Sequence, residues 1–313
     1  NVAQLTSIYH FLVRHPDLFY EAREGFAQLI IPTMNKVASL PNTSSENRKL
    51  ALNLISLICK WEERTVREQG SLSSVESPAA EKSGSPPQSE GKRGALAPAP
   101  MRLMLIKYLV QFIATVPERY PVSAPKGADN PQPSGPVHQP PTDTVVKAID
   151  LLHKLLAPPL WDDLDVDAMF PKVTEQILCG DQKPEEKAEI WTTRIVNTIQ
   201  VLKVLLNSRP DEWIVARLPQ LQKLLAGPLK NENYEIQEAL HGTNLPEDLS
   251  LKLPPLLQRA LEVIPLEQPE DELPDAESPT EEFKTFLNTT ASDALNNGNH
   301  VAGINVLWAL AQR

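Results

Sequence analysis

The chain has 313 residues, of which 41% are apolar and only 5% aromatic, with thirty prolines against twelve glycines and a formal net charge of −10. That balance argues against general nucleic-acid binding, which needs a basic surface to replace phosphate counterions. No apolar run approaches the roughly 20 residues that cross a bilayer, so no membrane partner is expected.

Amphipathic helical stretches recur along the chain, with no strand-like alternation between them. The first carries Leu5, Ile8, Tyr9 and Leu12 and stops before Pro16. A second runs from about 17 to 40, where Pro32 is expected to break or kink it. Ser44 or Ser45 caps a third, which reaches about 69 and sets Leu50, Leu54, Leu57, Ile58 and Trp61 on one face. Residues 1–69 therefore read as one helical unit. From 70 to 98 the composition turns to Ser, Pro, Gly, Glu and Ala, too poor in apolar area to offset its ordering entropy, and reads as a disordered linker.

A helix at 99–120 precedes a second proline-rich linker at 121–141, whose prolines also suit PxxP recognition, although a plain linker is the simpler reading. Helical repeats occupy 142–265. Thr142 or Asp143 caps the first of them, and Val145, Ile149, Leu152 and Leu156 form its apolar stripe up to a double proline. Further helices are expected at 166–179, 185–208, 211–226, 231–241 and 247–264, the second with a stripe of Trp191, Ile195, Ile199, Leu202 and Leu206. An acidic linker covers 266–279, and a helical pair at 280–313 turns at Gly298. The spacing fits no fixed repeat length, which leaves irregular HEAT/TPR-like pairs in an all-α solenoid with disordered Pro/Ser-rich insertions. Both ends read as cut, as if the chain were an interior piece whose apolar end faces neighbouring repeats cover; alone it should be partly soluble or aggregate.

The residue types that carry chemistry are present without their patterns. Cys59 and Cys179 fall in predicted helices and read as two buried, reduced thiols, with no CxxC for zinc or redox work. His10 and His15 are five apart and face different ways, and no HExxH occurs among the six histidines. Asp162, Asp163, Asp165 and Asp167 resemble the start of a calcium loop, but Met169 and Phe170 stand where oxygen ligands belong. A solvated acidic turn is the simpler reading. The acidic run from Glu267 to Glu282 suits a basic partner, though a solvated loop is again simpler. There is no phosphate loop, GxSxG or kinase catalytic loop, so no catalytic residue, metal site or cofactor is expected. Core packing is the default for Trp61, Trp161, Trp191, Trp213 and Trp308; Trp161, after the double proline, and Trp213 are the candidate partner contacts.

Four segments point further. LALNLISLICKWEERTVRE (Leu50–Glu68), VVKAIDLLHKLLAPPLW (Val145–Trp161), NTIQVLKVLLNSRPDEWI (Asn197–Ile214) and LPPLLQRALEVIP (Leu253–Pro265) resemble, in that order, stretches of the TRRAP family of transcription-associated pseudokinase scaffolds. Their order and the placing of the insertions carry the resemblance, which covers most of the ordered chain from about 46 onward. The proline-rich insertions suggest a fungal member. The resemblance implies a piece of a very long HEAT/TPR solenoid, near the FAT region, in a nuclear protein without kinase activity. Such a protein assembles with subunits of SAGA-type histone acetyltransferase complexes and binds activation domains of transcription factors. No functional residue transfers from the family. Two other classes compete: the helical region of an active kinase of the same superfamily, and a nuclear transport receptor, which would show regular repeats of about 40 residues.

Overall fold

A computed structural model describes residues 2–38, 43–73, 95–122, 143–166, 173–182, 185–242, 253–265 and 278–312. Every regular element among them is helical, and none of these helices is long and apolar enough to cross a membrane. Most of the three expected linkers lies outside the described residues, as does Asp167 of the acidic cluster. The chain divides into two compact units, Asn1–Leu109 with Lys154–Asp165, and Val110–His153 with Val166–Arg313.

The first unit is built on three helices, α1 (Val2–Arg14), α2 (Arg23–Val37) and α3 (Ser45–Ser73), each packed on the other two. Ser44 caps α3 by accepting the Asn47 N–H at 3.2 Å. The expected stripe of α3, from Leu50 to Trp61, is fully buried. The Trp61 indole N–H donates to the Pro16 carbonyl at 3.0 Å, tying the α1–α2 connection to α3. That connection ends in a 3-10 turn at Tyr20–Ala22, so α2 starts later than the sequence suggests. Tyr20 is clamped between two guanidinium groups, Arg23 at 4.2 Å and Arg64 at 3.7 Å from its ring centre, while its hydroxyl donates to Glu68 at 2.8 Å.

Pro32 does not break α2. It lies on the exposed side, where the carbonyl left without its helical donor is open to solvent rather than buried, and the Thr33 hydroxyl donates to the Leu29 and Ile30 carbonyls at 2.9 and 3.0 Å. The segment at 95–98 is ordered rather than part of a linker, with Leu96 and Ala97 buried ahead of α4 (Ala99–Thr115). Tyr108 of α4 donates to the Ala38 carbonyl just past α2 at 3.2 Å. The last turn of α5 (Asp143–Leu156) and the loop after it complete the unit.

The second unit has a central helix, α7 (Ala188–Asn207), against which α6 (Val173–Leu178), α10 (Tyr234–His241) and α11 (Leu256–Glu262) pack. All residues from Ile195 to Leu206 are buried, so α7 has no solvent face along most of its length. The expectation of one apolar stripe per helix fails here because α6, α10 and α11 cover α7, so that even its polar residues Asn197, Thr198 and Gln200 are buried. Even Lys203 is buried, and desolvation pulls its pKa below the usual lysine range.

The single helix expected at 211–226 is two, α8 (Asp211–Val215) and α9 (Leu218–Leu229). Pro219 sits in the first turn of α9, where its missing N–H is harmless, and so forces a new start. Asn233 caps α10, and Gly242 closes it at φ 62°, a left-handed conformation that favours glycine. The last pair, α12 (Pro279–Asn296) and α13 (His300–Ala311), turns through Gly298 at φ 81° and Asn299, which caps α13. In this unit α12 also packs on α9, and α13 on α10 and α11.

Candidate functional site

Trp161 lies in the core of the first unit, 1% exposed. The loop after α5 folds its indole inward, and the ring N–H donates to Glu62 Oε1 of α3 at 2.8 Å. The same oxygen accepts the backbone N–H of Leu96 at 3.0 Å, so one buried carboxylate fastens two remote segments to α3. Burial holds the Glu62 carboxyl above the usual range, while these two hydrogen bonds and the nearby Arg102 charge pull the other way. Arg102 donates to both oxygens of Asp163 at 3.0 and 3.2 Å, with its guanidinium 5.8 Å from the Trp161 ring centre. Asp163 of the acidic turn is thus a structural anchor.

Trp213 is placed differently. It is half-buried on α8, in the second unit, with the Arg217 guanidinium 5.2 Å from the centre of its ring. Cys59 is buried, whereas Cys179 is exposed, because α6 ends at Leu178 and leaves the thiol on the turn that follows. Partial burial, then the Glu175 charge, holds that thiol above its ordinary pKa, which disfavours the reactive thiolate.

Sequence reasoning missed the hub of the second unit. Asn197 of α7 is fully buried and donates to the carbonyls of Ile113 and Glu118 at 3.1 and 2.9 Å, while its side-chain oxygen accepts the Tyr120 N–H at 2.8 Å. Arg119 adds bonds to Thr193 Oγ1 at 3.0 Å and the Glu189 carbonyl at 3.2 Å, and an ion pair with Glu235. One amide thereby satisfies the end of α4 and the irregular backbone after it. The only signal was a polar amide inside a stretch rich in apolar residues.

A groove of about 470 Å³ opens between α10, α11 and α13, lined by His241, Leu257, Gln258, Leu261, Trp308 and Gln312 among others. His241 Nε2 is buried without a hydrogen-bond partner, and burial pushes the imidazole down to about 4. The unfolded chain, with an ordinary value near 6.5, therefore binds this proton more readily. The stabilising contribution is complete above that value and is lost as pH falls toward 4. Between about pH 7.5 and about pH 5 the second unit should lose about 2 kcal/mol from this group alone, and His241→Gln should remove that loss, read by urea unfolding.

The groove brings together no nucleophile with a base. Among the described residues, no group of three or more His, Cys, Asp or Glu is placed to hold a metal ion. What the surface does offer is apolar. On α13, Val301, Ile304, Leu307 and Trp308 are exposed. In the first unit Phe11, Phe19 and Phe26 form an edge-to-face ladder, with ring centres 5.6 and 5.3 Å apart, beside exposed Ile8 and Leu29. Packing surfaces, rather than converging ionisable groups, dominate both units.

Comparison with known proteins agrees with that character. Residues 1–313 match the family described as the Tra1 HEAT repeat ring region. The chain is similar to the SAGA complex/NuA4 acetyltransferase complex subunit TRA1 of Saccharomyces cerevisiae, 25% identical over 98% of this chain and 8% of that protein. It is also similar to the transformation/transcription domain-associated protein of Homo sapiens, 22% identical over 85% of this chain and 7% of that protein. For the SAGA complex/NuA4 acetyltransferase complex subunit Tra1 of Schizosaccharomyces pombe the figures are 22%, 68% and 4%. The chain thus spans less than a tenth of the length of these relatives. No solved structure matches it significantly.

Proposed function

The chain belongs to the Tra1 HEAT repeat ring family, and from that membership we propose that it is a non-catalytic scaffold segment of a transcription co-activator. In this reading it is part of a nuclear histone acetyltransferase assembly of the SAGA type. The observation that carries it is the match of the family over the whole chain, joined to helices whose buried polar side chains Glu62 and Asn197 are spent on packing. Stacked helices present long surfaces to other subunits and to activation domains, and their rigidity comes from buried hubs such as Glu62 and Asn197.

Trp213 is the tryptophan we assign to partner contact. It is half-buried, aromatic and backed by a guanidinium, a combination enriched where proteins dock. Trp161 serves the interior instead. No cofactor is required, and direct nucleic-acid contact is disfavoured by the net charge of −10.

Purifying the tagged parent protein from nuclear extract and assaying the eluate on histones tests this. Acetyltransferase activity should co-elute. Phosphotransferase activity intrinsic to the parent would instead support a kinase of the same superfamily, and capture of a small GTPase with cargo a transport receptor. Either result without acetylation overturns the proposal.

A further inference from the structure

The turn between α12 and α13 contains the only asparagine–glycine pair among the 313 residues, Asn297–Gly298. Such a pair carries its own chemistry. The Gly298 backbone nitrogen can attack Asn297 Cγ, forming a C–N bond that closes a five-membered imide. The Cγ–Nδ2 bond breaks, and ammonia leaves with the peptide proton. Water then opens the imide at either carbonyl, leaving aspartate or its β-linked isomer. No cofactor, oxidant or second protein is needed. Glycine favours this route because it has no side chain to obstruct the closing ring.

Asn297 and Gly298 are both exposed, and a Cβ built on Gly298 would meet nothing within 4 Å, so no neighbour shields the reacting atoms. The backbone, in contrast, is set against closure. The ring needs Asn297 Cβ and the Gly298 nitrogen eclipsed about the Cα–C bond, and ψ of 6° at Asn297 holds them apart. The attacking nitrogen is also engaged, donating to the Leu295 carbonyl at 3.1 Å. Asn299 fixes the turn from its far side. Its N–H donates to the Ala294 carbonyl at 2.8 Å, its Oδ1 accepts the Ala302 N–H at 3.2 Å, and its Nδ2 donates to the Lys230 carbonyl at 3.0 Å.

We propose that Asn297 is a self-deamidation site gated by the α12–α13 turn, converting as fast as local opening frees the Gly298 nitrogen. Conversion weakens the gate that restrained it. The β-linked product lengthens the backbone of the turn and shifts Asn299 out of register with Ala302 and Lys230. Aspartate places a negative charge at the C-terminal end of α12, where the macrodipole disfavours it. Either product loosens the hold of the hairpin on the end of α9, and because ammonia is lost the mark is one-way.

The test incubates the parent polypeptide in heavy-oxygen water near neutral pH and locates each converted asparagine by peptide mass spectrometry. Asn288, Asn296, Asn299 and Asn305 lie in the same hairpin and serve as internal controls. Asn297 should convert several-fold faster than any of these, yet several-fold slower than in the unfolded polypeptide. Its rate should rise with pH, because the attacking nitrogen must give up its proton. Asn299→Ala, which removes the α13 cap and the bond to Lys230, should raise the rate several-fold toward the unfolded value. Asn299→Asp, which keeps the cap acceptor, should raise it less. Conversion no faster than that of the control asparagines overturns the site, a comparison that needs no variant to fold. Conversion as fast in the folded polypeptide as in the unfolded one, or a rate that Asn299→Ala leaves unchanged, overturns the gate and the proposal with it.

Discussion

Replacing Trp161 with alanine is expected to destabilise the first unit by about 5 kcal/mol, the sum of a large buried indole lost, about 3–5 kcal/mol, and a buried carboxylate deprived of one donor, about 1–2 kcal/mol. The indole is 1% exposed, and its N–H is one of two donors to Glu62 Oε1. Two milder variants separate the terms. Trp161→Phe keeps most of the apolar volume and loses chiefly the N–H, so about 1–3 kcal/mol should go. Glu62→Gln keeps an oxygen for both donors and removes a charge that burial disfavours, so it should be nearly neutral at pH 7. Hydrogen exchange of the α3 amides reads this unit alone; a loss below about 1 kcal/mol for Trp161→Ala would show that the indole is not seated as described.

Asn197→Ala should cost the second unit about 4 kcal/mol, because it strands two carbonyls and one N–H in the interior at about 1–2 kcal/mol each. Ile113, Glu118 and Tyr120 would all lose their partner at once. Asn197→Asp should be worse still, since it keeps the acceptor for Tyr120, loses both donors and buries a charge. Exchange of the α7 amides and proteolysis after Arg119 both report the effect. An unchanged cleavage rate at Arg119 would mean that the stretch after α4 is held by something other than this amide.

The helical stripes were legible because they depend on spacing alone. Leu50, Leu54, Leu57, Ile58 and Trp61 of α3, and Val145, Ile149, Leu152 and Leu156 of α5, are all buried where periodicity placed them. Ser44 and Gly298 were legible for a local reason, since a cap and a left-handed turn are decided by their own few residues. What escaped was set at long range. Nothing near Trp161 in the sequence says that Glu62, ninety-nine residues away, awaits its N–H. Asn197 reads as a flaw in an apolar run until the backbone of 113–120 is laid beside it.

Proline gave signals of both signs for the same reason. Pro219 starts a helix and Pro32 sits inside one, because a missing N–H costs little in a first turn or on an exposed face. The exposure of Trp308 and the half-burial of Trp213 follow from how the folded helices pack, which periodicity does not encode.

Crosslinking mass spectrometry on the intact assembly tests the scaffold reading most directly, because exposed lysines such as Lys36, Lys60, Lys107 and Lys187 sample the outer faces of both units. Links from these lysines to other subunits, alongside links within each unit that fit the packing of α3 and α7, are the expected result. An intact, active complex in which every link from this segment stays inside the same polypeptide would contradict it.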